Sequence, residues 1–188
     1  GESLFRVSKL QYLNHETVPI LSDQLITDFF VSKSVKFLKP YTFSYCSKLT
    51  KVSFDNEIDI KMIPEFCFAY SSLKEISIPS SVKSINKCAF LSCTSLEKVN
   101  FTRGNNLTSI RKGAFCECSS LTSIHISKSV EKIGKYAFYS CTNLQKVSFS
   151  DGSKLKLIDT AAFCKCSNLS SIKLPNKMKV IGKECFSY

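Results

Sequence analysis

The residues best equipped for chemistry in this 188-residue chain are ten cysteines and two histidines. Cys116-x-Cys118 and Cys164-x-Cys166 resemble halves of a metal site, since closely spaced thiolates are common zinc ligands. Zinc sites usually place two to four residues between such cysteines and need four ligands. His125 could serve as a base, but base and nucleophilic catalysis both require an oriented partner within hydrogen-bond reach. Its flanking residues Ile124 and Ile126 offer none, and no Asp or Glu falls near it in the pattern described below. His15 lies in a poorly patterned opening stretch that suits a surface loop. The six glycines are scattered, with no phosphate-cradling loop among them. These residue types therefore predict no catalytic, cofactor-binding or metal site. Asn100-x-Thr102, Asn106-x-Thr108 and Asn168-x-Ser170 match the glycosylation pattern, which a chain this rich in Ser and Thr also produces by chance.

The cysteines are better understood through what surrounds them. A phenylalanine recurs at Phe43, Phe68, Phe90, Phe115, Phe138, Phe163 and Phe186, in steps of 25, 22, 25, 23, 25 and 23 residues. Five residues before each stands Leu38, Ile63, Ile85, Ile110, Ile133, Ile158 or Ile181. Cys46, Cys93, Cys118, Cys141 and Cys166 all lie three residues past the phenylalanine. Self-similarity at this period predicts a solenoid, in which no unit buries its apolar face alone. An inward slot repeated in every coil suits cysteine as a small hydrophobe. Thiols in the same slot of adjacent coils run parallel, which is poor disulfide geometry. The two Cys-x-Cys pairs fall two coils apart, roughly 10 Å at strand spacing, too far to share one ion. Buried structural thiols are the expectation; disulfides and metal binding are the alternatives.

Within a unit, Leu-x-x-Val/Ile-x-Phe/Ile recurs as Leu49/Val52/Phe54, Leu73/Ile76/Ile78, Leu96/Val99/Phe101, Leu121/Ile124/Ile126, Leu144/Val147/Phe149 and Leu169/Ile172/Leu174. The period of two predicts one short parallel strand per unit with these side chains inward. The segment from the isoleucine to the phenylalanine and cysteine predicts a short helix or helical turn on the opposite face. Seven- and nine-residue spacings alternate between strand and next isoleucine, giving a superperiod of two units. Val82, Val130 and Met178 plug the shorter spacing, and Ile60, Leu107 and Leu155 the longer. Between Phe68 and Leu73 one residue is missing and the cysteine position reads as lost. Ile26, Phe29, Val31, Val35 and Leu38 continue the pattern upstream, with Ile20 in the phenylalanine slot. The fold class read from this is an α/β repeat solenoid over residues 20–188, of about seven units. Residues 1–19 are expected to be a cap or a diverged repeat, and the end at Phe186-Ser187-Tyr188 reads as a truncation within a further unit.

The units "CAFLSCTSLEKVNF", "GAFCECSSLTSIHI", "YAFYSCTNLQKVSF" and "AAFCKCSNLSSIKL" resemble the leucine-rich repeat of the BspA-like, Treponema-type class. The resemblance covers about residues 20–188. It implies a parallel sheet along the concave face of an arc, with short helices or turns on the other side. It also implies a non-enzymatic, cell-surface or extracellular protein that adheres to host or extracellular-matrix proteins. An intracellular, cytoplasmic interaction scaffold is the alternative. The N-terminal residues lack the pattern, and the asparagine ladder of other leucine-rich repeats is absent.

The net charge of +11 comes almost wholly from lysine spread through every repeat. Lysine is a hydrated point charge, whereas planar phosphate recognition favours arginine. Outward strand positions form one column reading Phe30, Ser53, Ser77, Asn100, His125, Ser148, Lys173. A flanking column reads Asp28, Lys51, Glu75, Lys98, Ser123, Lys146, Ser171. Lys51, Ser53, Ser77, Lys98, Asn100, His125, Lys146, Ser148 and Lys173 are the candidate protein-binding surface. No aromatic row stands there to stack nucleic-acid bases, so no nucleic-acid partner is expected. No run reaches the ~18 apolar residues of a membrane helix, so membrane attachment would need other segments.

Overall fold

The computed structural model describes residues 26–102 and 104–188. The expected strands form where side chains alternate: β1 (Asp28–Val31), β2 (Lys51–Phe54), β4 (Glu75–Ile78), β6 (Lys98–Phe101), β8 (Ser123–Ile126) and β10 (Lys146–Phe149). A second set of two-residue strands also forms, comprising β3 (Met62–Ile63), β5 (Ser84–Ile85), β7 (Ser109–Ile110), β9 (Lys132–Ile133), β11 (Leu157–Ile158) and β12 (Val180–Ile181). Each of these ends on the repeat isoleucine. A coil therefore holds two strands where the sequence pattern predicted one. Leu169, Ile172 and Leu174 carry the strand pattern without forming a strand, though Ile172 and Leu174 still pack on the core.

Every pairing is parallel and in register. Val52 sits opposite Ile76, Ile76 opposite Val99, and Ile124 opposite Val147. Ile63, Ile85, Ile110 and Ile133 follow one another along the short ladder, which is continuous from β3 to β12. The long ladder is split into β1-β2-β4-β6 and β8-β10. Like side chains thus pile upon like, as a solenoid requires. The upstream assignment of Val31, Val35 and Leu38 to the same pattern agrees with their burial. The assignments for residues 1–19 and Ile20 lie outside the described residues.

The segment around the phenylalanine contains no helix among the described residues, and the expectation of short helices is corrected to turns. The reason is in the backbone. The residues two before and two after each repeat phenylalanine from Phe43 to Phe163 take positive φ, among them Tyr41 and Tyr45, Phe66 and Tyr70, Gly113 and Glu117, Tyr136 and Ser140. A left-handed residue every fourth position breaks the uniform φ of an α-helix. It also turns alternate N–H groups toward the next coil. Phe90 N–H donates to Ala114 O at 2.8 Å, Phe115 N–H to Ala137 O at 2.8 Å, and Phe138 N–H to Ala162 O at 2.8 Å. The intervening amides close turns, as when Cys118 N–H donates to Phe115 O at 3.3 Å. A third row of inter-coil bonds thus satisfies these buried amides, which offsets the ~1–2 kcal/mol that left-handed geometry costs an L-residue.

The core is a ladder of rings. Phe43, Phe68, Phe90, Phe115, Phe138 and Phe163 are at most 2% exposed. Successive centroids are 5.0 to 5.3 Å apart with planes within 8° of parallel. That step is close to the strand-to-strand spacing of about 4.8 Å and within the range in which aromatic pairs attract. Backbone pitch and ring stacking therefore reinforce each other. Ile60, Val82, Leu107, Val130 and Leu155 plug the spacings as expected, all at 0% exposure.

The slot three past the phenylalanine faces inward in every coil. Cys93 Sγ donates to Phe68 O at 3.0 Å, Cys118 to Phe90 O at 3.1 Å, Cys141 to Phe115 O at 3.1 Å and Cys166 to Phe138 O at 3.1 Å. A small residue with a weak donor fills the space and satisfies a carbonyl at once. The slot that reads as lost after Phe68 holds Ser71, buried and within 3.6 Å of Cys93 Sγ. The missing residue falls one step later. Cys67 and every cysteine after it are free thiols.

Close packing between coils is evident at Gly134, where a β-carbon would stand 2.8 Å from Lys112 N and 2.9 Å from Arg111 C. Both neighbours are backbone and cannot rotate away. Gly134→Ala is expected to lower the unfolding free energy by about 1–3 kcal/mol, as overpacking does, measured by urea denaturation. Gly104 is the contrasting case, an open surface position where a β-carbon would meet nothing within 4 Å.

Candidate interaction face

The outward side chains of the long strands build this face, and strand register fixes their columns. Asp28, Lys51, Glu75 and Lys98 lie directly opposite one another in turn, so charges alternate along the first half. In the second half Lys146 stands opposite Ser123, and Ser148 opposite His125. Phe30 is opposite Ser53, and Ser77 opposite Asn100. Lys51, Ser77, Lys98, His125, Lys146 and Lys173 are exposed, while Ser53, Asn100 and Ser148 are half-buried.

These nine residues do not form one uninterrupted sheet. The ladder break between β6 and β8 separates Lys51, Ser53, Ser77, Lys98 and Asn100 from His125, Lys146 and Ser148. Lys173 lies beyond the last long strand. Within the first group, β2 and β4 pair only at Lys51↔Glu75 and Val52↔Ile76. Past that point a cleft of about 420 Å³ opens, lined by Ser53, Asp55, Ser77 and Thr102 among others.

His125 is held by two hydroxyls of the following coil. Its Nδ1 is 3.0 Å from Ser148 Oγ and its Nε2 2.9 Å from Ser150 Oγ. One ring nitrogen donates and the other accepts, according to tautomer. The position that a carboxylate takes in a catalytic triad is filled here by a hydroxyl, and the two contacts orient the ring. Ser150 escaped the sequence pattern because it lies one residue past the strand. The signal was available in the repeat: Thr102 holds the same place after Phe101, and its hydroxyl donates to Ile78 O at 3.2 Å.

The turn side carries aromatic residues that the strand pattern did not single out. Tyr41 stacks on Phe66 at 5.0 Å, and Tyr45 on Tyr70 at 4.7 Å. Tyr136 and Tyr139 meet edge to face at 5.6 Å, with Lys135 over the first ring and Lys165 over the second. They occupy the left-handed places and their neighbours, so their recurrence close to the phenylalanine on either side was the signal. A groove of about 750 Å³ runs along this side past Lys112, Gly113, Tyr136 and Lys165. On the short-strand side, adjacent coils are joined by Lys156 to Glu131 at 2.7 Å and Lys132 to Asp159 at 3.7 Å. The ammonium hydrogen-bonded to Glu131 holds that carboxyl below its ordinary range. Among the described residues, no three His, Cys, Asp or Glu side chains gather as metal ligands would, and no helix is long and apolar enough to cross a membrane.

Parallel coils in register, leucine at a fixed place in each and a stacked ring column define a leucine-rich-repeat solenoid. A profile of the BspA type leucine rich repeat region matches residues 20–106 and 100–188, with six copies, and the chain belongs to that family. Solved structures of similar fold include a leucine-rich repeat protein from Eubacterium ventriosum ATCC 27560. It is 27% identical, with 86% of this chain and 42% of that chain covered and a TM-score of 0.74. The T. pallidum leucine rich repeat protein is 24% identical over 86% of this chain and 71% of its own, with a TM-score of 0.70. The pneumococcal vaccine antigen PcpA is 22% identical over 81% of this chain and 51% of its own, with a TM-score of 0.66. The chain thus spans about half the length of PcpA and less of the Eubacterium protein. No curated protein matches it.

Proposed function

We propose that this chain is a non-enzymatic protein-binding module of a cell-surface, adhesin-like repeat protein, and that it binds host or matrix proteins through the long-strand face. The observation that carries this reading is the difference between the two halves of that face. Lys51 and Lys98 alternate with Asp28 and Glu75, so their field is largely cancelled at short range. Lys146 faces Ser123 and His125 faces Ser148, so the second half presents positive charge among hydroxyls. An acidic patch on a protein partner is the complement, and such charge complementarity acts chiefly on association rate. The cleft beside β2 and β4 is open and of mixed polar and apolar lining, which suits a protein surface better than an enclosed small molecule. Membership of the BspA-type family supports surface display and a protein partner.

The test is binding of the chain to immobilised extracellular-matrix proteins. Lys146→Glu together with Lys173→Glu is expected to weaken binding at least tenfold, mostly in the on-rate. Lys51→Glu with Lys98→Glu should do less, since each lysine is already flanked by acid. Equal binding by all three proteins would remove this face from the proposal. Antibody labelling of the full-length protein on intact cells tests its location; signal only after permeabilisation would favour an intracellular scaffold.

A further inference from the structure

Cys88 and Cys116 differ from the other eight cysteines: they are half-buried on the turn side, and the rest are buried. They come from adjacent coils and from different slots, two before Phe90 and one after Phe115. Cys88 N–H donates to Lys112 O at 2.9 Å, and Cys116 N–H donates to the next carbonyl, Gly113 O, at 3.0 Å. Both residues are therefore fixed on the same two-residue stretch of backbone. Gly113 itself supplies the space between them. A β-carbon there would lie 3.0 Å from Cys88 Sγ and 3.8 Å from Cys116 Cβ, so the Cys88 thiol points at the place its side chain would fill and the Cys116 β-carbon borders it. The same groove is lined by all three residues and opens to solvent. Same-slot thiols run parallel and bridge poorly; this pair meets diagonally, from different slots of adjacent coils.

We propose that Cys88 and Cys116 form a disulfide that staples their two coils when the chain meets a small-molecule disulfide of the glutathione type. The thiolate of one cysteine attacks a sulfur of glutathione disulfide, breaking its S–S bond and expelling one glutathione thiolate. The second cysteine, deprotonated, attacks the protein sulfur of the mixed disulfide and expels the other. The two protons lost by the cysteines end on the two glutathiones. The protein is oxidised by two electrons and glutathione disulfide is reduced by two.

The experiment equilibrates the whole chain with glutathione disulfide in excess, then alkylates it natively and maps its peptides. One linked peptide pair joining Cys88 to Cys116 is expected, with the chain lighter by two hydrogens and native alkylation falling from two labels to none. Cys116→Ser should instead leave a single glutathione on Cys88. Gly113→Asn tolerates the left-handed backbone while filling the gap, and should abolish the bridge with the fold retained by circular dichroism. Separate glutathione adducts on both cysteines, full alkylation of both after oxidation, or a bridge to Cys164 in place of this one would each overturn the proposal.

Discussion

Replacing Phe115 with alanine is expected to cost about 3–5 kcal/mol of unfolding free energy, the range for emptying a buried aromatic site. The ring is fully buried and lies 5.0 Å from Phe90 and 5.3 Å from Phe138. Its removal forfeits two stacking contacts and leaves a gap whose walls are held by backbone bonds between coils, so collapse into the space is limited. The position compounds the loss. In a repeat stack each coil touches only its neighbours, so a gap near the middle weakens the coupling between the two halves. Urea denaturation should show a lower midpoint, with a smaller fall for Phe115→Leu. Phe37→Ala, at a site 68% exposed, should leave the midpoint unchanged. A wild-type midpoint for Phe115→Ala would mean that the rings do not sustain the core.

Alkaline pH is expected to unfold the protein well before most domains yield. An unfolded thiol ionises near pH 8.5. Burial pushes Cys93 up to about 12 and drives Cys67, Cys118 and Cys141 well above the ordinary value. The folded chain then keeps protons that the unfolded chain releases. Stability is present in full below about pH 8.5 and declines as pH rises toward the folded values. Each such thiol removes about 1.4 kcal/mol per pH unit across that window, so these four together remove roughly 5–6. Against a total of about 5–15 kcal/mol for a typical protein, a rise of one to three units suffices. Far-UV circular dichroism against pH should show a cooperative loss between roughly pH 9.5 and 11.5. Cys118→Ser should lessen the slope of stability with pH by about 1.4 kcal/mol per unit, and Ser71 already shows that a hydroxyl is accommodated in that slot. Unchanged stability at pH 11 would place these thiols in water.

The strands at Val52, Ile76, Val99, Ile124 and Val147 were legible in the sequence because alternation of inward and outward residues is written directly in side-chain polarity. The ring ladder was legible for the same reason: one residue type recurs where one cavity recurs. The second set of strands was not, since a pair such as Ser84–Ile85 is too short to show any period. Nor were the left-handed corners. Tyr41, Cys88, Glu117 and Lys165 share no chemistry, only a place in the coil, and backbone bonding to the next coil determines their φ. On the candidate face, the lysines and the columns were readable. The break in pairing between β6 and β8 was not, because the residues on either side follow the same repeat pattern. Ser150 was hidden by its position just outside the strand that carries Ser148, the other hydroxyl on His125.

The three rows of inter-coil bonds carry a mechanical consequence. Tension applied to the two ends of the polypeptide meets them one coil at a time, since freeing a terminal coil requires only its own few bonds to part. Shear between neighbouring coils must instead break every row that joins them at once. Such a molecule would yield to stretching by peeling in small, repeated extensions, with a sawtooth force trace whose period is the contour length of one coil or one pair.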